Sequence, residues 1–288
     1  MAAMALAGFM CFLAVVLAPD QALAWGPGVH LAASRFILSN LDLLPAALSA
    51  LLSQFPQSFL YGSLSADFFI GKGSRIKPGH SHNWESGLDL LDESQKPHLL
   101  AYAHGYLSHL AADVVAHNFY VPNLMARTPA PGPLTHIYVE VQADSRLTAG
   151  LNLGCRFFRP LQRDADKTLL KTLRKNTFSF KCRKRLFKGT MALAKAKTWN
   201  RSLRLAQRML PLPDDQAYLQ GMFELSLRSV LSVLSNPQGT VLLDFDPIGS
   251  RSLAQVTGLR PPRSRAVEIF PLDGRLTALP ALPEHHAA

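Results

Sequence analysis

The chain has 288 residues, 48% of them hydrophobic, a formal net charge of +10 and three cysteines. That is apolar material enough for one sizeable core or two small ones. It holds no internal repeat, no Gly-rich phosphate loop and no evident Ser–His or Cys–His nucleophile pair, which sets aside repeat solenoids, P-loop chemistry and simple acyl transfer.

Residues 1–24 read as a secretory signal. Met4–Ala18 is apolar but short for a membrane span, and Ala22-Leu23-Ala24 is a small-residue cleavage site. No Lys or Arg precedes the apolar run, so an uncleaved anchor is the alternative. Cleavage after Ala24 predicts a secreted or periplasmic protein and makes Trp25 the new N-terminus. Its free α-amine would then be able to ligate a metal, which a peptide nitrogen cannot do. Cys11 leaves with the signal. Cys155 and Cys182 either pair in an oxidising compartment or stay as two thiols. Residues 25–235 are read as one helical domain and 236–288 as a Pro/Gly-containing, partly disordered tail.

Trp25-Gly-Pro-Gly-Val-His30 opens the domain. Leu31–Leu52 has leucines at helical spacing and predicts one or two helices, broken near Pro45. Asp67 lies among apolar residues, an unusual place for a carboxylate without a partner. A Gly/Lys loop, Gly71–Gly79, runs into His80-Ser81-His82, an H-x-H metal signal in which either histidine is a candidate ligand.

His109, Asp113 and His117 recur every four residues in an otherwise Leu/Ala/Val-rich stretch. Each step drifts only about 40° on a helix, so the three share one face. Two imidazoles and a carboxylate on a buried face need compensation, which a divalent metal supplies. His104 is on the opposite side and is not counted, and His98 beside Pro97 is read as structural. His136 and Glu140 form a second i, i+4 pair. Eight of the ten histidines fall between His30 and His136, and His285 and His286 sit in the terminal tail as inert or adventitious binders.

Residues 155–210 carry seventeen Lys and Arg against two acidic residues, Asp164 and Asp166. The stretch is either a solvated basic face or a surface for polyanions, meaning anionic lipid headgroups or nucleic acid. Phe157, Phe158, Phe178, Phe180 and Phe187 are interleaved and suit lipid insertion, base stacking or a core equally. Thr190–Met209 and Gln216–Leu234 predict helices. Residues 260–288 read as poorly ordered.

Taken together, Trp25, His30, Asp67, His82, His109-x-x-x-Asp113, His117 and His136-x-x-x-Glu140 resemble the zinc-dependent phospholipase C family. That family shares its fold and trinuclear zinc site with the single-strand-specific zinc nucleases. The resemblance spans Trp25 to Asp144. It implies an all-α multi-helix bundle with three zinc ions in its core. Asp67, His82, His109 and Asp113 would hold the first, and His117, His136 and Glu140 the second. The Trp25 amine and carbonyl, His30 and a shared Asp113 would hold the third. It further implies phosphodiester hydrolysis by metal-activated water, which Asp67 would orient or deprotonate. The expected substrate is phospholipid at a membrane surface. A single-strand zinc nuclease and a non-catalytic zinc- or lipid-binding relative are the alternatives. Three features depart from the pattern. The Asp113–His117 spacing is shorter than usual in the family. Gly28 stands where choline-binding members carry an acid. The Trp25–His30 spacing is closer to that of the nucleases.

Overall fold

The computed structural model describes residues 25–69, 80–128, 131–148, 162–194, 197–212, 216–258 and 269–283. The leader 1–24, the 71–79 loop, Cys155, Phe157, Phe158, His285 and His286 lie outside them. The protein is all-α, as expected, with no strand among the described residues.

Proline starts four of the early helices, where its missing N–H costs nothing and its fixed φ suits the first turn. They are α1 (Pro27–Ser39), α3 (Pro56–Ser65), α5 (Pro97–Val115) and α7 (Pro133–Leu147). Between the first two lie a 3₁₀ turn, Leu41–Leu43, and α2 (Ala46–Gln54), with the break at Pro45. A 3₁₀ turn, Ala66–Phe69, ends α3 and carries Asp67. Helix α4 (Trp84–Asp92) is capped by the Asn83 side chain, which accepts from the Glu85 N–H. Beyond α7 come α8 (Arg163–Thr172), α9 (Thr177–Ala194), α10 (Lys197–Met209) and α11 (Gln216–Ser235).

Helix α5 is the centre, packed by α3, α4 and α11. It does not stop at Val115. It widens into a π turn, Ala116–Tyr120, and resumes as α6 (Val121–Ala126). Pro122 explains the widening: it has no N–H for the Asn118 carbonyl, and its ring would clash there in a regular helix. The freed segment is retied by the Asn118 side chain, which donates to the Val114 and Asp246 carbonyls.

The approach of α3 to α5 is the tightest in the bundle. A Cβ on Gly62 would lie 2.0 Å from the Tyr102 carbonyl oxygen, and one on Gly105 2.0 Å from that of Phe59. The two glycines face each other's helix, so backbone meets backbone. Tyr61, Tyr102, Tyr106, Phe59 and Phe68 fill the space on either side and are fully buried.

The basic stretch divides. Phe180 and Phe187 enter the core edge-on to Phe68, while Phe178 stays 77% exposed. Lys184 turns inward, 4.9 Å from the Tyr61 ring centroid and 2.6 Å from Asp166. Cys182 is an exposed free thiol. Within 236–288, the described residues pack on the bundle. They form a 3₁₀ turn, Val241–Asp244, then α12 (Ser250–Gly258) and α13 (Gly274–Thr277). Leu242, Ile248, Val256 and Leu276 are fully buried. Asn123 holds the chain at Phe270, accepting from its N–H and donating to its carbonyl, both at 2.9 Å.

Gly105→Ala should cost about 3 kcal/mol, since neither backbone can move aside. Gly189→Ala on α9 meets nothing within 4 Å and should gain about 0.5–1 kcal/mol from helix propensity. Denaturant unfolding of the pair checks this, and equal effects would refute the close approach.

Candidate metal centre

Helix periodicity puts His109 and Asp113 one turn apart on the inner face of α5. The turn after α3 presents Asp67 to them, and the segment leading into α4 presents His82. All four are between 0 and 5% exposed. His82 Nε2 is 3.1 Å from His109 Nε2, 3.3 Å from Asp67 and 3.4 Å from Asp113. His109 Nε2 is 3.1 Å from Asp113 and 3.6 Å from Asp67. Donors on a tetrahedral zinc at about 2.0–2.1 Å are separated by about 3.3 Å. The Asp67, His82 and His109 atoms therefore have the mutual spacing of donors on one zinc, and an Asp113 oxygen stands at a similar spacing from both histidines.

The far nitrogens of the imidazoles are tied down. His109 Nδ1 meets the Ser63 carbonyl at 2.9 Å and His117 Nδ1 the Pro247 carbonyl at 2.6 Å. A carbonyl only accepts, so each Nδ1 donates to it and each Nε2 is the atom that faces the interior. His82 Nδ1 lies 3.1 Å from Ser81 Oγ, and the Tyr106 hydroxyl donates to the Ser81 carbonyl. His80 stays outside the cluster, where its Nδ1 accepts from the His82 N–H. That settles which of the two histidines faces the centre.

Asp113 looks two ways. One oxygen faces His82 and His109, and the other lies 3.1 Å from His30 Nε2. The His30 ring stacks on His109 with centroids 3.8 Å apart. Helix α1 is held in place for this by two contacts. The Trp25 indole donates to Ser226 Oγ at 2.9 Å and stacks on Tyr120. Asp144, one turn beyond Glu140 on α7, accepts the Val29 N–H at 2.9 Å. This carboxylate caps α1 from another helix and fills the space that side chains on Gly26 and Gly28 would need. Burial pushes its pKa up to about 6.

The π turn presents His117 to α7, where His136 and Glu140 stand one helical turn apart. Glu140 Oε1 is 2.6 Å from His136 Nε2 and 3.9 Å from His117 Nε2. The turn that holds His117 comes from the segment read as a tail. Asp246 accepts from the Ile248 and Ser250 N–H groups, and Gly249 adopts φ +60°. A Cβ on Gly249 would lie 2.2 Å from the His117 carbonyl oxygen.

The electrostatics demand a cation. His30 Nε2, Asp67 Oδ2, both Asp113 oxygens and both Glu140 oxygens are buried and make no hydrogen bond. Burial pushes the Glu140 carboxyl well above its ordinary range, and Asp113 and Asp67 push it further. Burial also raises Asp113 and Asp67, but His109 with His30, and His109 with His82, pull them below the usual carboxylate range. Carboxylates this close and dry share too little positive charge. Three groups of donors could hold a metal: His30, His109 and Asp113; Asp67, His82 and His109; His117, His136 and Glu140. Imidazole and carboxylate without thiolate suit zinc. His104 lies away from them, its pKa lowered by burial to about 4.

Ser63, Asp144, Asp246, Pro247 and Gly249 all support ligands and were not singled out in the sequence. Only the Asp246-Pro-Ile-Gly249 run carries a local signal, that of a tight turn.

The family model described as zinc dependent phospholipase C matches residues 29–200, more than half of the chain. Neither the search of curated proteins nor that of solved structures found a match.

Gly249→Ala should strain the turn, displace His117 and weaken metal retention by the His117 group about 10–100-fold, leaving the helix content intact. Elemental analysis after dialysis against graded chelator reads this out. Unchanged retention would show that the turn does not set His117.

Proposed function

The chain belongs to the zinc-dependent phospholipase C family, and on that premise we propose that it hydrolyses phosphodiesters, releasing phosphorylated headgroups from phospholipids. The observation that carries this is the buried convergence of Asp67, His82 and His109 at the donor spacing of a zinc site, with one Asp113 oxygen beside both histidines and the other turned to His30. The proposed complement is three zinc ions. Asp67, His82, His109 and Asp113 would hold one. His117, His136 and Glu140 would hold another. His30, Asp113 and Trp25 would hold the third, Trp25 through a free α-amine after export and cleavage.

When bound, zinc offsets phosphate charge and lowers the pKa of a coordinated water toward about 7. The chain supplies the rest. Asp67 is held below the usual carboxylate range, so it is ionised at neutral pH. Its Oδ2 makes no hydrogen bond and is the atom proposed to orient the attacking water and accept its proton. Asp113 separates the positive charges proposed on either side of it. The carbonyls of Ser63 and Pro247 keep His109 and His117 in one tautomer throughout.

A single-strand nuclease is the second reading, supported by the basic 155–210 stretch. Stacking bases needs exposed rings, yet Phe180 and Phe187 are buried, leaving Phe178 as the exposed phenylalanine among the described residues of that stretch. Those two rings therefore serve the core and neither role, and the family match is what supports lipid over nucleic acid.

Protein beginning at Trp25 should release phosphorylated headgroup from vesicles in a chelator-sensitive reaction and leave single-stranded DNA intact. Asp67→Asn should lower kcat by about 10²–10⁴ and loosen the ion that Asp67 would help to hold, read by elemental analysis beside the kinetics. One extra residue before Trp25 should remove an ion and most activity. Cleavage of DNA in place of lipid would move the assignment to the nucleases, and zinc binding without turnover of either would leave a binding protein.

A further inference from the structure

Helices α7 and α10 lie side by side in opposite directions. Gln142 donates to the Leu203 carbonyl at 3.1 Å, and Tyr138 to that of Leu210 at 2.7 Å. Moving back along α7 thus means moving forward along α10. The C-terminal end of α10 therefore meets the N-terminal turn of α7, where His136 points inward to the metal centre.

Four large apolar side chains stand in water at that end. Leu134 is 62% exposed, Leu205 58%, Met209 73% and Leu210 66%. Leu134 is one turn from Tyr138, whose hydroxyl touches Leu210. Leu205 and Met209 are four residues apart on one edge of α10. The inward edge carries Leu203, which is buried. Arg201, Arg204 and Arg208 follow at i, i+3 and i+7, so they share the outward face next to Leu205 and Met209. All three are exposed, and none forms an ion pair among the described residues. Large exposed apolar groups beside uncompensated cations are costly to a protein that stays in water. They fit an interface whose phosphates meet the arginines and whose acyl boundary takes the leucines and methionine.

We propose that this end of the α7–α10 pair is the surface by which the protein docks on an anionic phospholipid bilayer. Leu134, Leu205, Met209 and Leu210 enter the headgroup–acyl boundary, and the arginines hold lipid phosphates. Docking there brings the α7 end of the metal centre to the membrane. The proposal deepens the phospholipase reading and rests on it for its purpose, but the surface is tested without turnover.

The probe is sedimentation of the zinc-loaded protein beginning at Trp25 with vesicles of non-hydrolysable phosphonate analogues of phosphatidylcholine, alone or mixed with that of phosphatidylglycerol. The protein should bind the mixed vesicles more tightly, with affinity falling as salt rises. The double variant Leu205→Asp, Met209→Asp should lose about tenfold or more of that binding. Arg201→Glu with Arg208→Glu should abolish the preference for anionic lipid. Phe178→Asp, an equally exposed change on α9, should bind as the parent does. Given a short-chain, monomeric phosphodiester, all variants should turn it over equally, which separates docking from chemistry. Undiminished vesicle binding by the α10 variants overturns the proposal, whatever the activity. So does equal loss in Phe178→Asp, or retention of single-stranded DNA in place of vesicles. Vesicle binding that the variants lose, in a protein inert toward every phosphodiester, upholds the surface and rejects the hydrolase reading.

Discussion

Backbone contact between α3 and α5 at Gly62 and Gly105 is the constraint on which the centre depends. With any side chain there the helices would stand further apart. The Ser63 carbonyl would then fall short of His109 Nδ1, and the turn carrying Asp67 would no longer oppose His109. Two missing Cβ atoms thus decide whether residues over 40 positions apart in sequence converge on one buried cluster. The cost is the greater freedom of glycine in the unfolded chain. Burial of the five aromatic rings around the crossing offsets it.

The centre itself is unfavourable as bare protein. Three carboxylates and five imidazoles are gathered where water does not reach, and five of the six carboxylate oxygens lack hydrogen bonds. Glu140 shows a deficit in positive charge, and Asp113 stays ionised only by drawing on His109 and His30. A cation resolves both, so binding energy and folding energy are coupled here. The carbonyl anchors matter for the same reason. They fix the orientation of the His109 and His117 rings and leave Nε2 as the atom that faces the interior, which lowers the reorganisation cost of binding.

The periphery does two jobs. On one side the 246–249 turn locks the π turn, so a segment with little hydrophobic character controls a buried histidine. On the other, the basic region sends Phe180, Phe187 and Lys184 inward and leaves arginines outward. Its charge is therefore not one feature. Part is spent holding α9 to the bundle through Asp166 and the Tyr61 ring, and part faces solvent.

Local pattern already determined much in the sequence. The i, i+4 pairs, the proline-started helices and the break at Pro45 follow from helix geometry, and the all-α class follows from them. The residue types that converge in the interior were legible too, because buried carboxylates and imidazoles are costly unless they are used. Other matters were beyond local pattern. His80 and His82 are chemically alike, and only the fold turns one inward. The short Asp113–His117 spacing works because Pro122 opens a π turn, a response of the backbone to a residue lying after both ligands. Ser63, Pro247 and Asp144 act through a carbonyl or a cap on a distant helix, and such roles leave no periodic trace. Tertiary structure decided them, because hydrogen bonds across the bundle depend on separations that the glycine crossing sets and that no stretch of sequence encodes alone.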